Sequence, residues 1–327
     1  MPVSSYTGLW FAVIAVVLVL PACTLRQPAE PPSMVHENVH SGGSVVAFSG
    51  SGEVLASGGW EGGVRLWQTP DGPRLVRWQA HEDSVNGIGF AANDQVIVTA
   101  GYDGVLAAWD RGGNPVRRQQ TPSPVTHMVL SRAAGRVLTG HADGAVRVWR
   151  LADFRLLQVR ELHRGAVRAV AIDPDGMRYA SSGTDGTVQV FDESGPARQL
   201  AAPPVDAWTL AFAPDGRTLY GGGWFRLFRW HVSDGRLDVL PTRHHGIIRD
   251  MQFLGDGSSL ATISRQTDSS VYFLDPRTGE VNRAFQRHAL CGASITVSAD
   301  GRYLATTSDD ASVRIWDLGL PAATGQR

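Results

Sequence analysis

The sequence predicts an all-β fold, a closed ring of seven four-stranded antiparallel units, and three observations lead to it. One pattern of apolar runs and turns recurs from residue 34 onward with a period of about 42 residues. The apolar runs are short and separated by Gly-containing turns, which is typical of β-strands. The 37 glycines and 18 prolines suit many tight turns better than long helices. Four short strands in such a unit are the size of one blade, so the ring is predicted to be a β-propeller.

The N-terminus carries a short apolar run that indicates export or membrane attachment. Residues 9–20 are all apolar, and a helix of that length spans about 18 Å, less than the roughly 30 Å of a bilayer core. Such a run is typical of a secretory signal. Residues 20–23 resemble the lipobox of bacterial lipoproteins, which implies cleavage before Cys23 and lipidation of that residue. An uncleaved anchor helix and a cytoplasmic protein with a misassigned start are the alternatives, because Pro21 is unusual there and no Lys or Arg precedes it.

These features divide the chain into four segments. Residues 1–22 are predicted to be a signal peptide or membrane anchor, and residues 23–33 a lipidated cysteine with a Pro-rich tether. An extended tether of this kind, at about 3.1 Å per residue, would hold the next domain close to the membrane. Residues 34–320 are predicted to form the propeller, and residues 321–327 a disordered tail.

The first turn of each repeat has a recognisable composition. The clearest copies are Pro-Asp-Gly at residues 174–176 and 214–216 and Ala-Asp-Gly at residues 299–301. Between alternating apolar runs these are hairpin turns, because Gly readily adopts a positive φ and Asp tolerates it while bonding locally. The seven turns span residues 48–52, 90–94, 130–135, 172–176, 212–216, 253–257 and 297–301. A more variable fourth strand follows later in each repeat, for example at residues 74–79 and 155–160.

The third strand of each repeat ends on a large apolar residue. These residues are Trp67, Trp109, Trp149, Phe191, Trp230, Leu274 and Trp316. In two repeats this residue is a Trp followed by Asp, as Trp109-Asp110 and Trp316-Asp317, and Phe191-Asp192 and Leu274-Asp275 are drifted forms. With these endings the repeats resemble the WD-repeat family over residues 34–318. The resemblance implies a seven-bladed propeller that binds protein partners.

The resemblance also implies a buried, hydrogen-bonded set of His, Ser or Thr, Asp and Trp in each blade. A buried imidazole and carboxylate must be paired, and a linked network fixes the geometry of the turns. The expected sets are His81, Thr99, Asp103 and Trp109 in blade two, His288, Thr306, Asp310 and Trp316 in blade seven, His163, Ser181 and Asp185 in blade four, and His244, Thr262 and Asp268 in blade six. Glu61 replaces Asp in blade one, beside His40, Ser57 and Trp67. Thr121 replaces His in blade three, and blade five has lost the set.

The ring is predicted to close through its N-terminal segment. The last recognisable repeat supplies only three strands, ending at Trp316-Asp317. Residues 34–39 align with residues 75–80, which form the fourth strand of blade one, and are expected to complete blade seven. This pairing removes an open sheet edge that would otherwise favour aggregation.

We expect no catalytic residue, no cofactor site and no metal site. Residues 36–40 match HExxH, a zinc-protease string that requires both histidines on one turn of a helix. In a strand these two residues lie about 13 Å apart, and His40 is in register with the structural histidines, so zinc binding is disfavoured. The adjacent His244 and His245 would point to opposite faces of a strand. Cys291 has no motif around it and is interpreted as an ordinary loop or buried thiol.

Charge and aromatic placement favour a protein partner over nucleic acid. The net charge of −1 lacks the basic footprint of a nucleic-acid binder. In the family that the chain resembles, partners dock on the face that bears the turns into the first strand and between the second and third strands. Aromatic residues and Arg dominate interface hot spots. The candidates at these positions are Trp60, Tyr102, Arg168, Trp208, Trp224 and Arg249.

The favoured function is a non-enzymatic scaffold for protein–protein interaction. We expect it to be anchored to the membrane of a bacterial cell envelope and to face the periplasm or the exterior. One alternative is a propeller enzyme or redox-subunit accessory that uses the central channel, although the chain has no cofactor motif such as CxxCH. The other alternative is an intracellular regulatory WD-repeat protein. The sequence does not identify the partner.

Overall fold

The computed structural model describes residues 29–69, 72–91 and 93–319. Across these residues the chain forms 28 strands in seven four-stranded sheets, and each sheet is one blade. The predicted all-β, seven-bladed propeller is therefore confirmed. The predicted signal or anchor at residues 1–22, the predicted lipidation site Cys23 and the predicted tail at residues 321–327 lie outside the described residues. No helix in the described part of the chain has the length and hydropathy needed to span a bilayer.

The strands follow one another along the chain, and in blades one to six the first strand of each blade is innermost. The chain enters through β1 (Met34–His36). Blade one contains β2 (Gly43–Phe48), β3 (Val54–Gly59), β4 (Gly63–Gln68) and β5 (Arg74–Gln79). Blade two contains β6 (Val85–Ala91), β7 (Val96–Gly101), β8 (Val105–Asp110) and β9 (Pro115–Gln120). Blade three contains β10 (Val125–Ser131), β11 (Arg136–His141), β12 (Ala145–Arg150) and β13 (Leu156–Glu161). The predicted fourth strand of blade one has the expected bounds, and that of blade three is shifted by one residue.

The remaining blades repeat this order. Blade four contains β14 (Val167–Ile172), β15 (Arg178–Gly183), β16 (Val188–Asp192) and β17 (Arg198–Gln199). Blade five contains β18 (Thr209–Phe212), β19 (Thr218–Gly223), β20 (Arg226–His231) and β21 (Leu237–Pro241). Blade six contains β22 (Ile247–Phe253), β23 (Leu260–Arg265), β24 (Val271–Leu274) and β25 (Val281–Phe285). Blade seven contains β26 (Gly292–Val297), β27 (Tyr303–Ser308) and β28 (Val313–Asp317), and its fourth strand is β1.

The ring closes in blade seven, as the sequence predicts, but the closing strand covers three of the six residues expected at 34–39. β1 pairs antiparallel with β28, with Met34 opposite Ile315 and His36 opposite Val313. The two ends of the propeller are thereby joined within one sheet. Closure adds the contacts between blades seven and one, so the ring has no terminal blade.

The attachment of the N-terminal segment begins at Glu30, earlier than the expected start of the propeller at residue 34. The carboxylate of Glu30 accepts hydrogen bonds from Arg283 Nε at 2.9 Å and from Arg283 Nη2 at 2.6 Å. Its backbone amide donates to the carbonyl of Ala284 at 2.9 Å. Glu30 therefore belongs to the seam between blades six and seven, although the sequence places it in a free tether.

The turn between the first and second strands has the predicted backbone in all seven blades. Six of these turns contain a glycine with φ between 62° and 74°, namely Gly52, Gly135, Gly176, Gly216, Gly257 and Gly301. In blade two Asp94 takes that place with φ of 65°. Its carboxylate accepts hydrogen bonds from the amides of Gly50 at 2.7 Å and Ser51 at 2.9 Å, and it pairs with Arg132 at 2.7 Å. Asp94 thus links three consecutive blades.

The hydrophobic core lies between neighbouring blades rather than at the centre of the ring. Between blades one and two, Val64 and Leu66 of β4 pack in one cluster with Ile97 and Trp109 of blade two, and none of the four is more than 3% exposed. Burial of each such large apolar side chain stabilises the fold by about 1.5–3 kcal/mol. Each blade therefore covers the apolar face of the next.

The inner strands surround a central cavity of about 400 Å³. Neighbouring inner strands approach closely where glycine replaces a side chain. A Cβ atom on Gly87 would lie 2.3 Å from Met128 Cβ, and one on Gly89 would lie 2.5 Å from Leu130 Cδ2. These contacts require glycine on β6.

Candidate partner-binding face

The upper face is the surface formed by the turns before the first strand of each blade and between its second and third strands. In blade two a chain of side chains holds both of these turns. Nδ1 of His81 lies 3.0 Å from the Asp103 carboxylate, and its Nε2 lies 2.7 Å from the Thr99 hydroxyl. The Trp109 indole donates to the same hydroxyl at 2.9 Å. The set expected for blade two is complete, and it fixes the turn that carries Tyr102.

Blade one makes the same chain with Glu61 in place of aspartate. His40 bonds to Glu61 at 2.6 Å and to the Ser57 hydroxyl at 3.0 Å, and the Trp67 indole donates to Ser57 at 3.2 Å. Burial lowers the pKa of His40, against the opposing effect of Glu61. Burial raises the pKa of Glu61, but the hydrogen bonds from His40 and Ser41 outweigh it and the net pKa is lowered. The pair is thus a neutral imidazole that donates to a charged carboxylate.

Blade four has the His, Ser and Asp of the set but lacks the tryptophan. His163 Nε2 lies 2.8 Å from the Ser181 hydroxyl, and Nδ1 lies 3.1 Å from Asp185. Burial opposes ionisation of Asp185, but backbone amides and the Thr187 hydroxyl hold its pKa down at about 2. Phe191 stands where other blades have Trp and supplies no indole donor.

The set is looser in blade six. His244 Nε2 lies 2.9 Å from the Thr262 hydroxyl, but its Nδ1 is 3.8 Å from Asp268, beyond hydrogen-bond distance. The carboxylate of Asp268 instead accepts hydrogen bonds from the Ser264 hydroxyl and, at 2.8 Å, from the amide of His245. The longer turn in this blade lets the carboxylate bond within its own loop.

In blade seven the tryptophan takes a different partner from the one expected. His288 Nε2 lies 2.7 Å from the Thr306 hydroxyl, and Nδ1 lies 3.1 Å from Asp310. The Trp316 indole donates to the backbone carbonyl of Glu30 at 3.1 Å rather than to Thr306. The N-terminal segment lies beside this indole and offers a carbonyl, so Trp316 belongs to the closure seam.

Blade three uses a histidine that the sequence analysis did not identify. Nε2 of His141 lies 2.8 Å from the Thr139 hydroxyl, and Nδ1 lies 3.0 Å from the carbonyl of Ser123. The Trp149 indole donates to Thr139 at 2.8 Å. His141 and Thr139 are two residues apart on β11 and therefore share a face of the strand. That spacing is the signal that would have found it, because the expected position holds Thr121 instead.

Blade five has apolar packing where the other blades have polar side chains. Phe228 and Trp230 are both fully buried, with ring centroids 5.7 Å apart. The Trp230 indole donates to the backbone carbonyl of Ala201 at 2.8 Å. Pro203 and Trp224, at the positions of the missing His and Asp, are only partly buried. Trp224 is therefore available to the upper face.

Trp60 and Tyr102 are the two exposed aromatic residues on neighbouring blades one and two. Their side chains are 45% and 43% exposed. Each directly precedes the carboxylate residue of its blade, Glu61 or Asp103, so the buried set fixes its position. The ring of Trp60 also lies against Gly42, where a Cβ atom would come within 2.8 Å of it. The turns that carry these two rings are thus held by buried hydrogen bonds.

Arg168 and Trp208 form a stacked pair between blades four and five. The guanidinium carbon of Arg168 lies 3.8 Å from the centroid of the Trp208 ring. Its Nη2 is 2.8 Å from Oδ2 of Asp206. A guanidinium held by a carboxylate and an aromatic face has a defined orientation. Both side chains are partly buried and contribute one flat surface.

Phe225 extends the aromatic surface beside Trp224, and the sequence analysis missed it. The two ring centroids are 5.4 Å apart, and Phe225 is 44% exposed. Its backbone has φ of 57°, a left-handed conformation that costs a non-glycine residue about 1–2 kcal/mol. The exposed ring beside Trp224 makes Phe225 a further candidate for the binding face.

Arg249 does not join the aromatic residues on the rim. It lies at a register shift in β22 and lines the central cavity, together with Thr126, His127 and Asp250. The same register shift occurs in six of the seven blades, including at Arg168, so the shift alone does not set Arg249 apart.

The remaining chemistry candidates have structural positions. His36 lies in β1 and stacks on Trp67 with a centroid distance of 4.1 Å, so the HExxH string is not helical. In residues 29–69, 72–91 and 93–319, no three His, Cys, Asp or Glu side chains are grouped so as to hold a metal ion. Cys291 is a partly buried free thiol.

Four segments of the chain match the family model of the WD domain, G-beta repeat. They are residues 35–68, 72–110, 154–192 and 279–317. The first two correspond to blades one and two, and each of the four ends with the third strand of a blade. The unmatched blades three, five and six are those in which the structure shows a displaced, lost or loosened polar set.

Several known proteins are similar to this chain. Striatin-4 of Homo sapiens is 23% identical over 274 residues, 73% of this chain and 36% of that protein. Apoptotic protease-activating factor 1 of Rattus norvegicus is 26% identical over 272 residues, 79% of this chain and 21% of that protein. WD repeat-containing protein SL1-17 of Schistosoma mansoni is 30% identical over 194 residues, 56% of this chain and 61% of that protein. The chain thus spans less than two thirds of each relative. It belongs to the WD-repeat family, as a seven-bladed β-propeller of the kind that typically serves as a protein-interaction scaffold.

Proposed function

We propose that this chain is a non-enzymatic scaffold whose upper face binds a protein partner. The observation that carries the proposal is the exposed aromatic surface of that face. Trp60, Tyr102 and Phe225 are 43–45% exposed, while the turns that hold the first two are fixed by buried hydrogen bonds. Large rigid aromatic side chains give contact area at a low cost in conformational entropy. The stacked Arg168 and Trp208 add an arginine, the third residue type that dominates interface hot spots, and a second tryptophan.

The proposal includes attachment to the membrane of a bacterial cell envelope. Its support is the apolar run at residues 9–20 and the lipobox-like sequence that ends at Cys23. Because Glu30 is bound at the seam of blades six and seven, a tether from Cys23 would reach roughly 22 Å at 3.1 Å per residue. A lipid on Cys23 would therefore hold this seam near the membrane surface.

Affinity purification of the full chain tests the binding face. Trp60→Ala and Trp208→Ala, separately and together, are each expected to weaken recovery of the partner, with the largest loss in the double variant. Val116→Ala is the matched control, because Val116 is 56% exposed on the outer strand β9, away from the upper face. Recovery that is unchanged in the double variant, while all variants melt like the parent, would refute the proposal.

Membrane attachment is tested separately. Cells that express the full chain are labelled with palmitate and fractionated, with and without globomycin. We expect label and membrane recovery in the parent chain, and loss of both in Cys23→Ser. Cys291→Ser is the control, because it removes the second cysteine of the chain from a loop before β26. An unlabelled parent chain in the soluble fraction would contradict this part of the proposal.

A further inference from the structure

The central channel is lined by an arginine, Arg249, that forms no ion pair among the described residues. Among the described residues, the guanidinium of Arg249 donates no hydrogen bond and has no carboxylate oxygen within 4 Å. The surrounding protein lowers the pKa of this guanidinium, mainly by burial. The side chain is half-buried and lines the cavity, so its guanidinium is accessible from the channel. Its hydrogen-bond donors are therefore available to a ligand that enters the channel.

The charges around Arg249 are already matched to one another. Arg168 pairs with Asp206 at 2.8 Å, and Arg265 pairs with Asp309 at 3.1 Å. Arg249 is thus the one guanidinium of these three that has no ion pair within the described residues.

The adjacent carboxylate, Asp250, does not form an ion pair with Arg249 either. Asp250 accepts hydrogen bonds from the Ser294 hydroxyl at 2.7 Å and from the amide of Ile295 at 2.9 Å. It also accepts one from the amide of Met251 at 2.8 Å. These bonds direct the carboxylate toward blade seven, and burial raises its pKa. Arg249 and Asp250 attract each other across the channel wall, but the guanidinium of Arg249 forms no ion pair or hydrogen bond with that carboxylate.

His127 supplies a second donor to the same cavity. Its Nδ1 accepts a hydrogen bond from the amide of Val170 at 3.3 Å. Burial and the charge of Arg249 lower the pKa of this imidazole to about 4, so it is neutral at pH 7. A neutral imidazole that accepts at Nδ1 carries its proton on Nε2. The Nε2–H has no protein acceptor among the described residues and is free to donate to a ligand.

We propose that Arg249, with His127 beside it, forms a pocket in the central channel that binds an acidic side chain of a partner protein. A guanidinium binds a carboxylate through two parallel hydrogen bonds. The single unmatched positive charge fits the single negative charge of Asp or Glu better than a phosphate, which carries about −1.5 to −2 at pH 7. The cavity of about 400 Å³ lies within the range of known ligand pockets, about 300–1,000 Å³. The inference rests on the proposed function and names the chemistry of the segment that enters the channel.

Fluorescence anisotropy with a fluorescein-labelled oligoglutamate peptide tests the pocket. The full chain is expected to bind this peptide and not an oligoglutamine peptide of equal length. Arg249→Met should weaken binding by about tenfold or more, because it removes one partner of a buried charge pair. Arg118→Met is the matched control, since it removes the same charge from an exposed position on β9 and should change the affinity less than twofold. Arg249→Lys is a second variant that keeps the charge and loses the paired hydrogen bonds, with an intermediate affinity expected.

Three results would overturn the inference. The first is that the parent chain does not bind the oligoglutamate peptide. The second is that Arg249→Met and Arg118→Met weaken binding of this peptide equally. The third is that an oligophosphoserine peptide binds more tightly than oligoglutamate and does so through Arg249. The proposed function fails separately, when Trp60→Ala with Trp208→Ala leaves recovery of the native partner unchanged. If those variants weaken recovery while Arg249→Met leaves peptide binding intact, only the acidic-pocket inference is wrong.

Discussion

The indole of Trp316 donates a hydrogen bond to the backbone carbonyl of Glu30 at 3.1 Å. The same Glu30 holds Arg283 through both of its carboxylate oxygens. The N-terminal segment therefore contacts blade seven through Trp316 and blade six through Arg283. These contacts lie outside β1 itself, so the ring is closed by a strand and by a separate clasp.

Two nested deletions separate the clasp from the strand. Deletion of residues 24–33 removes Glu30 and leaves β1, so we expect a lower melting temperature with one cooperative transition. Deletion of residues 24–39 also removes β1 and exposes the edge of β28, so the cooperative transition is expected to disappear. Differential scanning calorimetry measures both. A longer deletion that melts like the shorter one would show that β1 does not close the ring.

The buried set of blade two is expected to stabilise the fold through Thr99. Thr99→Val leaves the acceptor nitrogen of His81 and the indole N–H of Trp109 without a partner. The cost of an unsatisfied buried polar group is about 1–3 kcal/mol, and urea denaturation measures it as a shift in midpoint. Thr218→Val, at a partly exposed position on β19, is the control and should change stability by less than about 0.5 kcal/mol. Equal urea midpoints for the two variants would show that the buried set of blade two does not stabilise the fold.

Stability should fall as the pH is lowered from 6.5 toward 4. Burial lowers the pKa of His127 and of His141 to about 4 from the ordinary 6.5. The unfolded chain therefore binds more protons than the folded chain in this window, and the stability that is complete above pH 6.5 is lost as the pH falls. The urea midpoint, measured across the window, should decrease. His141→Gln should make the decrease shallower, and a midpoint that does not vary with pH would contradict the burial of these imidazoles.

Phe225 is expected to show opposite effects on folding and on binding. Phe225→Gly relieves the left-handed backbone strain, so the melting temperature should stay equal or rise, although the unfolded chain also gains entropy. Loss of the exposed ring should reduce recovery of the partner. Thermal melts and affinity purification give the two values. A variant that loses stability and keeps its partner would show that the ring serves the fold instead.

The repeat architecture was predictable because it rests on local signals that recur. Turn glycines such as Gly176 and Gly216, and strand-ending aromatics such as Trp109, specify the same unit in each repeat. The closing strand followed from the alignment of residues 34–39 with residues 75–80. Seven copies in register outweigh the drift of any single copy.

Other features of the structure depend on contacts between segments that are far apart in the sequence, and no local pattern predicts such contacts. Glu30 has a polar, Pro-rich context typical of a tether, and only the fold brings it to Arg283. In blade three the imidazole comes from His141 on strand β11, because the turn that leads into this blade has Thr121 at the usual histidine position. Arg249 has the expected position in its strand, but its side chain lines the channel, whereas Arg168, at the equivalent register shift, stacks on Trp208. The lack of an ion pair at Arg249 can be seen only when the positions of the surrounding carboxylates are known.

Site-specific photo-crosslinking tests the central claim, that the upper face binds a partner, most directly. Benzoylphenylalanine is placed at Tyr102, which is 43% exposed on the upper face, or at Val116, which is 56% exposed on the outer strand of the same blade. Irradiation of cells that express each variant is followed by denaturing purification and mass spectrometry. We predict a discrete crosslinked partner with the probe at Tyr102 and none with the probe at Val116. A partner that crosslinks at Val116 and not at Tyr102 would contradict the account, because it would place the binding site on the outer edge of the blade.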